Sequence, residues 1–259
     1  MDNLEVIARM KIRPGQLEGF KSQAAGILRA TREQDTHTLR CDWFINEDGT
    51  ECEVHELFPN EQGLIEHKMN TMAATAVLFR DYAFDHHASI YGEVSQDFID
   101  LVTKRMGPPS VFAFSQGLDS SASVQGGAID QLPVIARMKV RPGQLEGFTA
   151  QAAEMLRLTQ EKDTRTLRYD WFLNQDQAQC EVHEAYLGEE GLIEHNEHVV
   201  AVRDAWFRDY AFDHRMSVYG EISPHLSDLF TKHAGGVSKF SLVQGLEQPH
   251  PSRALQSER

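Results

Sequence analysis

A chain of 259 residues with 39 acidic and 25 basic side chains carries a formal charge of −14, which repels phosphate backbones and anionic bilayers and argues against a nucleic-acid partner. Its three cysteines, Cys41, Cys52 and Cys180, lack metal-ligand spacing and are expected as free thiols in a reducing compartment. The N-terminal residues do not have the pattern of a signal peptide, and no run approaches the ~18 apolar residues of a membrane helix, so a cytoplasmic protein without a membrane partner is expected.

Residues 4–13 alternate around apolar and β-branched positions and stop at Pro14 and Gly15, as a strand ending in a turn does. From residue 16 to about 33, Leu17, Phe20, Ala24, Ile27, Leu28 and Thr31 recur at helical spacing, which predicts a helix with one buried face. Residues 38–46 and 51–58 read as a hairpin around Asp48 and Gly49. Asn60 then caps a helix to about residue 75, with a further helical segment through 79–82. Residues 88–94 are predicted as the fourth strand, residues 95–106 as a helix capped by Ser95, and residues 111–117 as a fifth short strand.

This whole sequence of elements then returns. VIARMKIRPGQLEGF at residues 6–20 reappears at 134–148 with one Ile-to-Val change, and a constant offset of 128 residues relates Trp43 to Trp171, His67 to His195 and Tyr91 to Tyr219. Roughly three in five positions match between residues 6–118 and 134–246, a period far longer than solenoid repeats use. Each copy therefore reads as a domain, 1–118 and 132–246, with a Ser- and Gly-containing linker at 119–131 and a flexible tail at 247–259. In the second hairpin Asp176 and Gln177 replace Asp48 and Gly49, so a turn of different detail is expected there.

The order β-α-β-β-α-β places the helices on one face of a sheet, the ferredoxin-like arrangement. The other face of such a sheet needs a cover, and a gapless second copy supplies one, giving a barrel with an internal pseudo-two-fold axis.

The segments ARMKIRPGQLEGF, TLRCDWFINEDG and EVHELFPNEQGLIEH, repeated as ARMKVRPGQLEGF, TLRYDWFLNQD and EVHEAYLGEEGLIEH, resemble the antibiotic-biosynthesis-monooxygenase-like domain of the dimeric α/β-barrel superfamily over nearly the whole of each copy. The resemblance implies an α+β fold of two ferredoxin-like domains in tandem, their antiparallel sheets packed as an intramolecular dimeric α/β barrel. It also implies a pocket between helices and barrel and oxidation of a small aromatic or quinol substrate with no cofactor, flavin or metal. Relatives degrade haem or isomerise small sugars, so fold does not decide activity. Aromatic-oxidising relatives place an Asn and a Trp four residues apart on the third strand; here Val54 and Phe58, and Val182 and Tyr186, hold those positions.

Strand parity gives candidate residues without the resemblance, because residues two apart share a face. Val6, Ala8, Met10, Cys41, Trp43, Ile45, Cys52, Val54 and Glu56 form the more apolar set and are expected against the helices. Arg9, Lys11, Asp42, Phe44, Glu53, His55, Ser89, Tyr91 and Glu93 form the other, repeated as Arg137, Phe172, His183, Tyr219 and Glu221. His55 and His183, flanked by carboxylates, are the candidate general bases for a phenolic proton; structural bridges to carboxylates are the alternative role. Substrate contacts are expected from Arg9, Phe44, His67 and Tyr91 and from their counterparts Arg137, Phe172, His195 and Tyr219, with His67 and His195 at the pocket mouth on the second helix of each copy. His86 and His214 stand near the fourth strand as rim or anchoring residues, and Trp43 and Trp171 are expected in the core. His195 and His198 are spaced for a metal, but Asn70 replaces the second histidine in the first copy and no third ligand is apparent, so no metal is expected.

The expected function is a cofactor-independent monooxygenase acting on a small aromatic or quinol compound in two similar pockets. The alternatives are a non-catalytic small-molecule-binding barrel and a cofactor-free isomerase of a small sugar-like substrate. The expected assembly is a monomeric pseudo-dimer or a homo-oligomer.

Overall fold

The computed structural model describes residues 3–118, 131–233 and 237–246. The tail expected at 247–259 and all but the last residue of the linker expected at 119–131 lie outside them. Gln131 itself already belongs to a strand.

The first repeat comprises β1 (Leu4–Ile12), α1 (Leu17–Gln34), β2 (Arg40–Asn46), β3 (Glu51–Phe58), α2 (Glu61–Val77), a π-helical turn (Leu78–Tyr82), β4 (Ala83–Tyr91), α3 (Gln96–Met106) and β5 (Ser110–Gly117). The second comprises β6 (Gln131–Val140), α4 (Leu145–Lys162), β7 (Thr166–Asn174), β8 (Gln179–Leu187), α5 (Gly188–Asp209), β9 (Ala211–Tyr219), α6 (Pro224–His233) and β10 (Val237–Gly245). No helix among the described residues is long and apolar enough to cross a membrane.

The strands close into a single barrel in the order β1-β3-β2-β10-β9-β6-β8-β7-β5-β4. The four-stranded sheets β4-β1-β3-β2 and β9-β6-β8-β7 are joined edge to edge through β5 and β10. β5 lies parallel to β4 of its own repeat and antiparallel to β7 of the other, and β10 likewise joins β9 to β2. These two strands occupy the edges that each sheet alone would leave unpaired, so closure satisfies the backbone groups there.

Parity sorts the faces as the alternation predicts. Ala8, Met10, Cys41, Trp43, Ile45, Cys52 and Val54 pack outward against α1, whose Phe20, Ala24, Ile27 and Leu28 are buried. At ~1.5–3 kcal/mol for each large apolar side chain buried, this face is what holds the helix. Inside the barrel, Ile7, Phe44, Tyr91 and Phe112 meet Ile135, Phe172, Tyr219 and Phe240.

One local expectation needs correction. β4 begins at Ala83, not at residue 88, and ends at Tyr91, so Glu93 lies beyond it. A register shift between Arg9 and Lys11 lets Lys11 and Ile12 pair with Phe84 and Ala83, and Asp85 takes a left-handed φ of 55° that interrupts the alternation a sequence reading relies on. Lys11 Nζ holds that aspartate at 2.7 Å. The second hairpin keeps the left-handed φ, 56° at Gln177 against 67° at Gly49, and differs in detail as expected: the Ala178 amide donates to Asp176 Oδ1 where the equivalent Thr50 amide donates to Asn46 Oδ1. The loop is fixed by Asn46 Oδ1, which accepts from the Thr50 and Glu51 amides at 2.9 Å, and by Asn174 Oδ1, which accepts from Gln179 at 2.9 Å.

Candidate functional site

The polar set inside the barrel is tied up in pairs between the repeats. Arg9 Nη2 donates to Glu181 at 2.9 Å and Nη1 to Ser89 at 2.7 Å; Arg137 Nη2 donates to Glu53 at 2.9 Å and Nη1 to Ser217 at 2.8 Å. The Tyr91 hydroxyl donates to Glu181 at 2.8 Å and that of Tyr219 to Glu53 at 2.7 Å. Burial alone would raise Glu53, yet the Arg137 and Arg9 guanidiniums beside it hold its carboxyl far below the usual range. Each repeat thus neutralises the other's buried charge.

His55 and His183 sit in the same interior. The ring of His55 lies 4.3 Å from Tyr219 and 4.9 Å from Phe44, and that of His183 lies at the same distances from Tyr91 and Phe172. His55 Nε2 stands 3.8 Å from Glu53, too far for a hydrogen bond, and is an unpartnered buried atom. Burial pushes its pKa down to about 4. His183 Nδ1 contacts Glu5 at 3.3 Å; Pro133 stands at the position of Glu5 in the second copy, so His55 has no matching partner. The structure therefore brings His55, His183, Arg9, Arg137, Phe44, Phe172, Tyr91 and Tyr219 together, but in a packed interior. None of them lines the apolar cavity of the second repeat.

That cavity, of about 280 Å³, lies on the opposite face of the sheet, between the second repeat's strands and α5. Its wall includes Tyr169 and Trp171 from β7, Glu184 facing His195, Trp206 and Phe207 from the last turns of α5, and His214 from β9. The lining is largely apolar with a few polar groups, and the volume lies just below the ~300–1,000 Å³ typical of ligand sites. Trp171, expected in the core, is 3% exposed and also forms this wall. Burial pushes His214 down to about 4, so it is neutral near pH 7.

Of the predicted base and substrate-contact residues His195 alone lines the cavity, and His214, expected at a rim or as an anchor, is also in its wall. His195 Nδ1 lies 2.8 Å from Asp163, and His198 Nδ1 lies 2.6 Å from the other oxygen of the same carboxylate. Asp163 stays ionised, since the hydrogen bonds from His195 and His198 outweigh the rise that burial would cause. An ionised acceptor at Nδ1 sets the tautomer with the proton there and leaves Nε2 as the basic atom. No described residue bonds that Nε2. Glu184 turns instead to the Tyr186 hydroxyl at 2.6 Å, and burial raises its pKa despite the nearby His195.

The first repeat has the same parts in another arrangement. His67 Nδ1 meets Asp35 at 2.7 Å and its Nε2 lies 3.0 Å from Glu56. Lys68 Nζ donates to both Glu56 oxygens at 2.9 and 3.0 Å. Burial would raise Glu56, but the Lys68 ammonium and His67 hold it at about 2. His67 is 2% exposed with both ring nitrogens engaged, which corrects its expected role as a substrate contact. His86, the counterpart of His214, packs on Phe79 at 4.8 Å.

Sequence reasoning missed Glu184, Asp163, Trp206 and Tyr169 as site residues. A difference between the copies marks Tyr169, where the first has Cys41, and Trp206, where the first has Leu78; Glu184 and Asp163, matched by Glu56 and Asp35, carry no such mark.

Fold and cavity together define an α/β barrel of two repeats with a ligand-sized site under the helices of the second. The sequence matches no family model and no curated protein. Among solved structures, the chain is similar to a candidate monooxygenase of Fusobacterium nucleatum subsp. nucleatum, with 10% identity and a TM-score of 0.58 over 83% of this chain and 89% of that one. It is also similar to an anthrone oxidase-like protein, with 9% identity and a TM-score of 0.54 over 96% and 95% of the two chains. A candidate monooxygenase of Lactobacillus acidophilus gives 10% and 0.52 over 83% and 92%. At such identities the likeness is one of fold alone.

Proposed function

We propose that this chain is a cofactor-independent monooxygenase acting on a small aromatic or quinol compound in the cavity of the second repeat. The observation that carries the reading is the open Nε2 of His195 in an aromatic-lined cavity, with Nδ1 held by an ionised aspartate. In this reading His195 takes the hydroxyl proton of a phenolic substrate, Asp163 orients and stabilises the ring, and Trp171 and Trp206 hold the aromatic plane. The phenolate ring carbon adds dioxygen, and loss of water from the resulting hydroperoxide leaves a quinone carbonyl. Phenol and dioxygen thus become quinone and water, with the substrate supplying all four electrons. The apolar wall keeps solvent away from the reactive anion.

We read residues 1–118 and 132–246 as two ferredoxin-like domains, and the interior set of Arg9, Arg137, His55 and His183 as the joint between them. Likeness in fold to an anthrone oxidase-like protein supports an aromatic substrate class.

The test is a screen of phenols and hydroquinones with an oxygen electrode, followed by His195→Ala on any substrate found. A loss of ~10²–10⁴-fold in kcat is expected for removal of a general base. Unchanged turnover would remove His195 from the mechanism, and binding in air without product would mean a carrier of aromatics.

A further inference from the structure

We propose that, of the two equivalent sites between strands and second helix, only that of the second repeat binds ligand, because that of the first is shut by an ion lock of Lys68, Glu56, His67 and Asp35. This rests on the reading of the second-repeat cavity as the substrate site.

The lock is a chain of contacts in which each charge has a partner. Asp35 and Glu56 flank the His67 ring at 2.7 and 3.0 Å, and Lys68 Nζ bonds both oxygens of Glu56. With carboxylates on both nitrogens, the ring holds two protons and has no basic atom to offer a ligand. Two negative and two positive groups close on themselves, with Glu56 4% and His67 2% exposed outside the bonds they make to each other. A phenolic hydroxyl entering here would have to displace a buried ion pair and leave a charge uncompensated, which is strongly unfavourable.

Three substitutions between the copies undo the lock in the second repeat. Asn196 replaces Lys68, and its amide is spent elsewhere: Nδ2 donates to the Leu192 carbonyl at 2.8 Å and Oδ1 accepts from Arg203. Tyr186 replaces Phe58, and its hydroxyl draws Glu184 aside at 2.6 Å. Trp206 replaces Leu78 and builds the cavity wall with Trp171, the ring centroids 5.4 Å apart. The histidine keeps its aspartate and loses its second carboxylate, so the same dyad changes from a structural tie into an available base. The raised pKa of His67 agrees with its place between two carboxylates.

The test uses the full chain labelled with ¹⁵N-histidine and 1-naphthol as the probe. At rest, near neutral pH, the His67 ring is expected to carry protons on both nitrogens. A His67 ring with one nitrogen unprotonated would overturn the lock. On titration, one equivalent of 1-naphthol is expected to bind and to shift the His195 signals while those of His67 stay in place. Two equivalents, or movement of His67, would overturn the confinement to one repeat. Failure of 1-naphthol to bind at all would count against the substrate reading of the cavity, and the resting spectra would then decide the lock by themselves. Asn196→Lys, which places the first repeat's ammonium beside Glu184, is expected to weaken 1-naphthol binding at least about tenfold; unchanged affinity would overturn the role given to Lys68.

Discussion

Glu56 and Glu184 occupy the same place in the two repeats, and their replacement by glutamine is expected to change stability in opposite senses as pH varies. Burial disfavours the charge on both. Lys68 and His67 nevertheless hold Glu56 at about 2, against 4.5 for a free glutamate. That gap corresponds to about 3 kcal/mol of stability, at 1.36 kcal/mol per pH unit. A depressed folded value means that the contribution is complete above pH 4.5 and is lost as pH falls through the folded value. The deficit of Glu56→Gln relative to the parent chain should therefore be largest near pH 7 and shrink by about 3 kcal/mol on acidification toward pH 2. Glu184 has a raised value, so its favourable contribution is complete below pH 4.5 and is lost as pH rises through the folded value. Glu184→Gln, which still accepts the Tyr186 hydrogen bond, should gain on the parent over that rise. Urea unfolding followed by tryptophan fluorescence at a series of pH values measures both differences. Parallel pH dependences for the two variants would refute the assignment of one carboxylate to an ion lock and the other to a site where burial outweighs its partners.

The remaining predictions concern the joint, the turn and the dyad. Arg137→Met leaves Glu53 buried without its 2.9 Å partner and should destabilise the chain by about 3–5 kcal/mol in urea unfolding, whereas Arg137→Met combined with Glu53→Leu should recover part of that loss. Gln177→Gly relieves a left-handed φ of 56° and should raise stability by up to about 1 kcal/mol, while Gly49→Ala should lower it. Asp163→Asn removes the anion that fixes the His195 tautomer; turnover should fall by more than about tenfold with a displaced pH profile, and an unchanged profile would show that the aspartate only packs. Trp206→Leu, which copies the first repeat, should weaken binding of planar ligands in a fluorescence titration and leave the repeat's fold intact.

Much of the fold is legible in the sequence because local patterns carry it. LEVIARMKI alternates, Phe20, Ala24, Ile27 and Leu28 share a helix face, and the fixed offset to the second copy doubles each observation. The start of β4 is not legible, since Asp85 in a left-handed conformation breaks the period of two. The exchange of β5 and β10 is also hidden, because an edge strand's partner leaves no mark in its own sequence. For the site, parity separates the two faces but does not say which one stays open. Arg9 meets Glu181 and Arg137 meets Glu53 at separations no local spacing reveals, and those pairs close the barrel interior to a ligand. The open face shows itself only where the copies diverge, at Lys68 and Asn196, Phe58 and Tyr186, and Leu78 and Trp206.

The most direct measurement is a crystal structure of the full chain grown with 1-naphthol. The hydroxyl is predicted to lie within hydrogen-bond reach of His195 Nε2, with the ring between Trp171 and Trp206 and no second molecule beside His67. A molecule inside the barrel beside His55 or His183, or one in each repeat, would contradict the assignment of the second-repeat cavity as the working site.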